Sequence, residues 1–165
     1  MKFHGLVHLQ ELTKFHLNDT EPDALVYTDL KRMQFVHESL TSTNKSAIYE
    51  SALKKLEGKT INYPVSTLVT YEIAQLYLGY AIQYKPLQSD DHKWDNKKAY
   101  EICEGAIKRF PKSIGAIKCV ALQNQVTNKK IQATVESVNI PNTPFKALVS
   151  YTNIKTLYYR IIKTS

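Results

Sequence analysis

Cysteine, glycine and tryptophan are scarce in this chain of 165 residues, at two, five and one. Two cysteines cannot build the disulfide framework that staples small secreted domains. Cys103 and Cys119 stand 16 residues apart in two helix-like segments, and read as buried small hydrophobes. With six prolines beside the five glycines, collagen-like and Gly/Pro-rich disordered chains are excluded. No apolar run approaches the ~18 residues of a membrane span. The start, MKFHGL, lacks the apolar core and small-residue site of a signal peptide. Taken alone it reads as a cytoplasmic protein, or equally as an internal piece of a longer chain with an added Met.

Catalytic signatures are missing too. There is no Gly-rich phosphate loop, and no Ser/His/Asp or Cys/His set in a recognisable local context. His4 and His8 are spaced to share a helix face, but zinc needs more ligands and no His-Glu-x-x-His is present. His92 stands with Asp90, Asp91 and Asp95 in a polar stretch that reads as a solvated loop ending in a helix cap. His16 and His37 read as packing at helix contacts or facing solvent. The expectation is a protein that is not an enzyme, with no catalytic residue, no cofactor and no metal ligand.

What is present is periodicity. Residues 3–17 repeat apolar side chains at steps of three and four, as a helix does. Thr20, Pro22 and Asp23 then suit a helix start, with Thr20 as the cap. Val26, Leu30, Met33, Val36 and Leu40 continue one face. Ile48, Tyr49, Ala52, Leu53 and Leu56 make the next stripe. A longer helix is predicted from about Ser66 to Tyr84, then a polar loop from Lys85 to Asp95. Asp95 is placed to cap a helix over 96–110, and Ser113 to cap one reaching about Asn128.

Beyond that point the period becomes two. Ile131, Ala133 and Val135 alternate with polar residues, as do Phe145, Ala147, Val149 and Tyr151, and then Leu157, Tyr159 and Ile161. That pattern predicts about three strands. The expected fold is mainly α: antiparallel helix pairs in a right-handed stack over residues 1–128, then a short antiparallel β segment over 129–165.

The helical part repeats itself. Residues 52–64 (ALKKLEGKTINYP) align with 99–111 (AYEICEGAIKRFP) at an offset of 47. Ala52, Glu57, Gly58, Pro64, Ser66 and Ala74 meet the same residue types at Ala99, Glu104, Gly105, Pro111, Ser113 and Ala121. Ala99, Cys103, Ala106 and Pro111 carry a spacing that resembles the tetratricopeptide family, and Leu78, Gly79 and Ile82 resemble its first-helix positions. Small residues at those places let helix axes approach closely. The period of 47 departs from that family's 34, which implies longer helices or an irregular stack. Tyr71, Tyr77, Tyr80 and Tyr84 could line a peptide groove, or bury their rings with hydroxyls at the rim.

A second resemblance covers nearly the whole chain. It is carried by residues 12–17 (LTKFHL), 22–25 (PDAL), 32–37 (RMQFVH), 74–77 (AQLY), 94–103 (WDNKKAYEIC) and 106–111 (AIKRFP). It continues through residues 135–142 (VESVNIPN), 144–151 (PFKALVSY), 153–154 (NI) and 157–163 (LYYRIIK). In this order they resemble the helical region of bacterial alpha-2-macroglobulin-like proteins and the start of their first macroglobulin β-domain. The resemblance implies a piece of a large protease inhibitor of the cell envelope or periplasm. Its partners would be proteases and the remaining macroglobulin domains. Many members of that family hold a thioester within Cys-Gly-Glu-Gln. Here Cys103 precedes Glu104-Gly105 and Cys119 precedes Val120-Ala121, so no thioester residue carries over. The tail would supply only part of a sandwich, leaving strands that pack on the helices, pair with another copy in a homodimer, or order poorly.

Acidic residues are the last shortage: 15 against 22 basic ones give a formal charge of +7. Such a balance invites nucleic acid as a partner. Its distribution argues against one, because residues 1–50 carry five basic and seven acidic side chains. Lys146, Lys155, Arg160 and Lys163 occur singly among strand residues, where they suit guarded sheet edges. Three functions follow in order: a non-enzymatic scaffold or interaction region of an endopeptidase inhibitor, a stand-alone tetratricopeptide-like adaptor, and a basic nucleic-acid binder.

Overall fold

The computed structural model describes residues 2–136, 138, 140, 143–160 and 162. The chain divides into two compact units, residues 1–123 and 124–165. The first contains α1 (Lys2–Phe15), a 3-10 turn (His16–Asn18), α2 (Asp23–Ser39), α3 (Lys45–Thr60), α4 (Ser66–Ala81) and α5 (Asp95–Arg109). It also holds most of α6 (Ile114–Thr127). Consecutive helices from α1 to α5 pack as neighbours, α1 on α2, α2 on α3, α3 on α4 and α4 on α5. The chain is therefore mainly helical, a stack followed by a small antiparallel sheet. Among the described residues no helix is long and apolar enough to cross a membrane.

The stack is built on stripes at helical spacing. Val26 and Leu30 of α2, Tyr49 and Leu53 of α3, and Val65, Val69 and Ile73 at α4 form one buried cluster. Met33, Leu56, Leu76 and Ile102 close around it. Toward α5 and α6 the buried residues become small. Ala99, Cys103 and Ala106 on α5, and Ala116 and Cys119 on α6, have no exposed surface. Both cysteines are free, and the neighbouring Cys119 thiol together with burial pushes the Cys103 pKa far up. Gly115 sits where α6 meets the start of α4, and a Cβ there would come 2.2 Å from the Thr67 carbonyl carbon. The same junction carries a 2.8 Å hydrogen bond between the Thr67 and Ser113 hydroxyls.

A polar tie crosses three helices. Arg109 Nη2 donates to Glu57 at 3.3 Å and to the Thr70 hydroxyl at 2.9 Å, while Thr70 donates to Glu57. The residues come from α5, α3 and α4, so the tie locks the order of the stack. The repeat at offset 47 also gains a meaning. It lays α3 over α5 and α4 over α6, with Pro64 and Pro111 in equivalent joints.

Several local expectations are corrected. Thr20 makes no cap bond to α2, whose first backbone acceptor is the Pro22 carbonyl, 2.8 Å from Val26 N–H. Asp95 is the first residue of α5 rather than its cap. Ser113 does cap α6, its hydroxyl accepting from Ala116 N–H at 3.2 Å. Helix α4 ends at Ala81, three residues before Tyr84. Gly79 faces open space and Ile82 is 86% exposed beyond the helix end, so neither sits at a helix contact.

The second unit is built on a hairpin of β1 (Lys130–Val135) and β2 (Ala147–Thr152), paired antiparallel with Ile131 opposite Tyr151 and Ala133 opposite Val149. Among the described residues two strands form the sheet, not three. Residues 157–160 lie outside any strand, and Ile161 lies outside the described residues. One reason is at Asn153, whose backbone turns to φ 56° and ends β2. Its side-chain amide donates to the carbonyls of Val126 and Asn128, at 2.7 and 3.0 Å, satisfying acceptors at the end of α6.

Candidate functional site

A polar concave surface in the stack crosses α2, α3 and α4. Its α4 wall is Glu72, Gln75, Leu76, Gly79 and Tyr80, continued by Gln83 past the helix end. The steps are three and four throughout, so these residues form one straight stripe. Gln34, His37 and Glu38 at the end of α2 make the opposite wall by the same spacing. Ser46 and Tyr49 from the first two turns of α3 make the floor. The groove has a volume of about 440 Å³. That falls in the range of small-ligand sites.

The floor is fixed by a ring pair. His37 stacks on Tyr49 with centroids 4.4 Å apart and planes 13° from parallel. Burial, with the charge of Lys45, lowers the His37 pKa, so the imidazole is neutral at neutral pH. The Tyr49 hydroxyl is bonded to Glu72, and its pKa is pushed far up by burial and by the nearby carboxylates of Glu72 and Glu38. The same ring pair borders a smaller, mostly apolar pocket of about 130 Å³ between α2 and α3, lined by Met33, Val36 and Ile48 among others.

Tyr80 links the groove to a second polar centre. Glu50 of α3 accepts from the Tyr77 hydroxyl at 2.8 Å and the Tyr80 hydroxyl at 3.5 Å, and pairs with Lys54 at 2.6 Å. Burial pushes the Glu50 pKa up, but these donors outweigh it and hold the carboxyl below its ordinary value. The Tyr80 ring also lies 5.3 Å from His92, whose Nδ1 is 2.7 Å from Asp95. The long loop before α5 is thus fastened to the edge of the groove.

The four tyrosines singled out in the sequence are separated by this geometry. Tyr77 and Tyr80 meet edge-to-face at 5.8 Å over Glu50. Only Tyr80 lines the groove described above. Tyr71 is turned toward α6, with Lys118 Nζ 5.3 Å over its ring, and its hydroxyl accepts from Gln75 at 2.7 Å. Tyr84 is half-buried beyond the end of α4. The polar residues Gln34, Glu38, Glu72, Gln75 and Gln83 escape a reading of the sequence alone. Their one signal was the three-and-four spacing on α4, which looks like any solvated helix face.

Chemically the groove offers carboxylate and amide groups around a neutral aromatic floor. Its tyrosine hydroxyls are held protonated against carboxylates. Among the described residues no group of three or more His, Cys, Asp or Glu could hold a metal ion. No family model matches the chain, and no curated protein or solved structure matches it either.

Proposed function

We propose that this protein is a non-enzymatic interaction module whose helical stack receives an extended segment of a partner protein in the α2–α4 groove. The observation that carries the reading is the α4 stripe from Glu72 to Gln83, facing α2 across a floor with hydrogen-bonding groups. An extended peptide needs its backbone N–H and C=O groups satisfied when it docks, and glutamine side chains do both. From Glu72 to Ala81 the helix rises about 14 Å, enough for about four extended residues. Gly79 keeps the middle of that wall low. A Cβ there would meet nothing, so a larger residue fills the groove without disturbing the stack.

The test is selection of a random peptide display library on the full chain, repeated with Gly79→Leu. The expected result is a set of binders to the wild type that fall by about tenfold or more on Gly79→Leu at unchanged melting temperature. Binders indifferent to Gly79→Leu would overturn the reading.

A second reading is favoured by the hairpin. Ile131, Ala133, Val135, Ala147, Val149 and Tyr151 share one face, which pairs apolar residues with apolar residues in register. Ile131, Val135 and Tyr151 on that face are 54%, 49% and 62% exposed. A two-stranded sheet does not stand on such a face alone, so a further strand or a helix is needed to cover it. In this reading the stack is the scaffold region beside the first β-domain of a bacterial alpha-2-macroglobulin-like endopeptidase inhibitor of the envelope. The sequence resemblance supports it. Sequencing the genomic reading frame tests it: continuation into further strands and a bait segment is expected, and a stop near Ser165 would sink it.

A further inference from the structure

We infer that the segment bound in the α2–α4 groove carries lysine or arginine side chains. The inference rests on the peptide-binding reading above and names the chemistry of the occupant. It starts from a contrast in how this chain disposes of its carboxylates. Lys and Arg outnumber Asp and Glu by 22 to 15, so cations are in surplus. Elsewhere in the stack most carboxylates are paired. Asp29 pairs with Arg32, Glu50 with Lys54, Glu57 with Arg109 and Asp95 with Lys98. Glu101 and Glu104 pair with Lys97 and Lys108. Glu38 and Glu72, like Glu21, Asp23 and Asp91, have no ion pair among the described residues, but they alone of these stand on opposite walls of this groove.

No lysine or arginine lines that groove. Its histidine, held neutral by burial against Tyr49, adds no cation at neutral pH. The remaining polar lining is uncharged: Gln34, Gln75 and Gln83 with the Ser46 and Tyr80 hydroxyls. Both carboxylates act on the Tyr49 hydroxyl between them, so their fields add over the floor. A concave site with one sign of charge concentrates the opposite sign. An extended chain meeting the glutamines with its backbone would place an ammonium or guanidinium against each carboxylate, where charge-assisted hydrogen bonds are the strong ones. An acidic segment would meet two unpaired carboxylates and be repelled.

The experiment is an NMR titration of the full chain, following the side-chain amide signals of Gln34, Gln75 and Gln83. The probes are acetyl-Ala-Lys-Ala-Lys-Ala-amide, the same peptide with Glu for Lys, and spermidine. The lysine peptide is expected to shift all three signals, and the glutamate peptide none. Glu38→Gln, on an exposed side chain, should weaken the lysine peptide about fivefold, and Glu38→Gln with Glu72→Gln about tenfold or more. Raising salt to about 0.5 M should weaken it as well. If the glutamate peptide binds as well, or the Gln variants bind unchanged while Gly79→Leu removes binding, the basic occupant is overturned and the groove reading stands. Equal binding of spermidine would reassign the site to a free polyamine and overturn the peptide occupant. No shift of the three signals with any probe would overturn both.

Discussion

Gly115 and the pair Gly58 and Gly105 show how much one atom decides in this stack. A Cβ at Gly115 would collide with the backbone of Thr67, whereas at Gly58 and Gly105 it would enter open space. Gly115→Ala should therefore destabilise by about 1–3 kcal/mol, the usual cost of overpacking. Gly58→Ala and Gly105→Ala, inside helices, should each stabilise by about 0.5–1 kcal/mol. Urea midpoints of the three variants check this, and a stable Gly115→Ala would mean that α4 and α6 do not meet at Thr67. Asp95 is 4% exposed. Burial raises its pKa, but His92 and Lys98 more than offset that and hold it below 3.8. Its contribution is present above the unfolded pKa and is lost as pH falls through the folded one. Asp95→Asn should lower the melting temperature at pH 7 and flatten its fall below about pH 4. His37 runs from its own pKa, which lies below 6.5 when folded. The unfolded chain takes up the proton first, so stability declines as pH drops below 6.5 toward the folded value. His37→Phe keeps a ring on Tyr49 and should remove that part of the decline, read as melting temperature between about pH 7 and 5.

At the scale of elements, the helices and the hairpin differ in what covers them. Helix α4 has neighbours on several sides and contributes Val69, Ile73 and Ala74 to the core. The hairpin has every β1 residue exposed, including its apolar face. Amide exchange should accordingly be slowest in α4 and fast throughout Lys130–Val135 and Ala147–Thr152. A hairpin as protected as α4 would show that its apolar face is covered. The helices themselves were legible in the sequence, because apolar stripes and the joints at Pro64 and Pro111 mark local structure. Helix starts were legible only where the cap is local and strong: Ser113 bonds Ala116, while Thr20 leaves α2 to begin at the Pro22 carbonyl. A third strand through Leu157, Tyr159 and Ile161 could not be judged from alternation, which records which face a residue would take but not whether a partner strand is present.

The molecule as a whole explains why the groove was illegible. Its lining runs from Gln34 to Gln83 across three helices, and nothing local joins Glu38 to Glu72. Tyr71, Tyr77, Tyr80 and Tyr84 looked like one lining because they lie close in sequence. Helix geometry turns Tyr71 toward Lys118 while Tyr77 and Tyr80 turn to Glu50. The formal charge of +7 misdirects in the same way. It averages over a chain whose α2–α4 groove carries two carboxylates and no lysine or arginine, so the charge that matters for a partner there is negative. That claim is tested most directly by attaching a nitroxide to the N-terminus of Ala-Lys-Ala-Lys-Ala-amide and recording paramagnetic broadening over the full chain. Broadening confined to Gln34, Gln75, Gln83 and their neighbours on α2 and α4 is the predicted result; broadening centred on residues 130–152, or spread evenly over the surface, would contradict it.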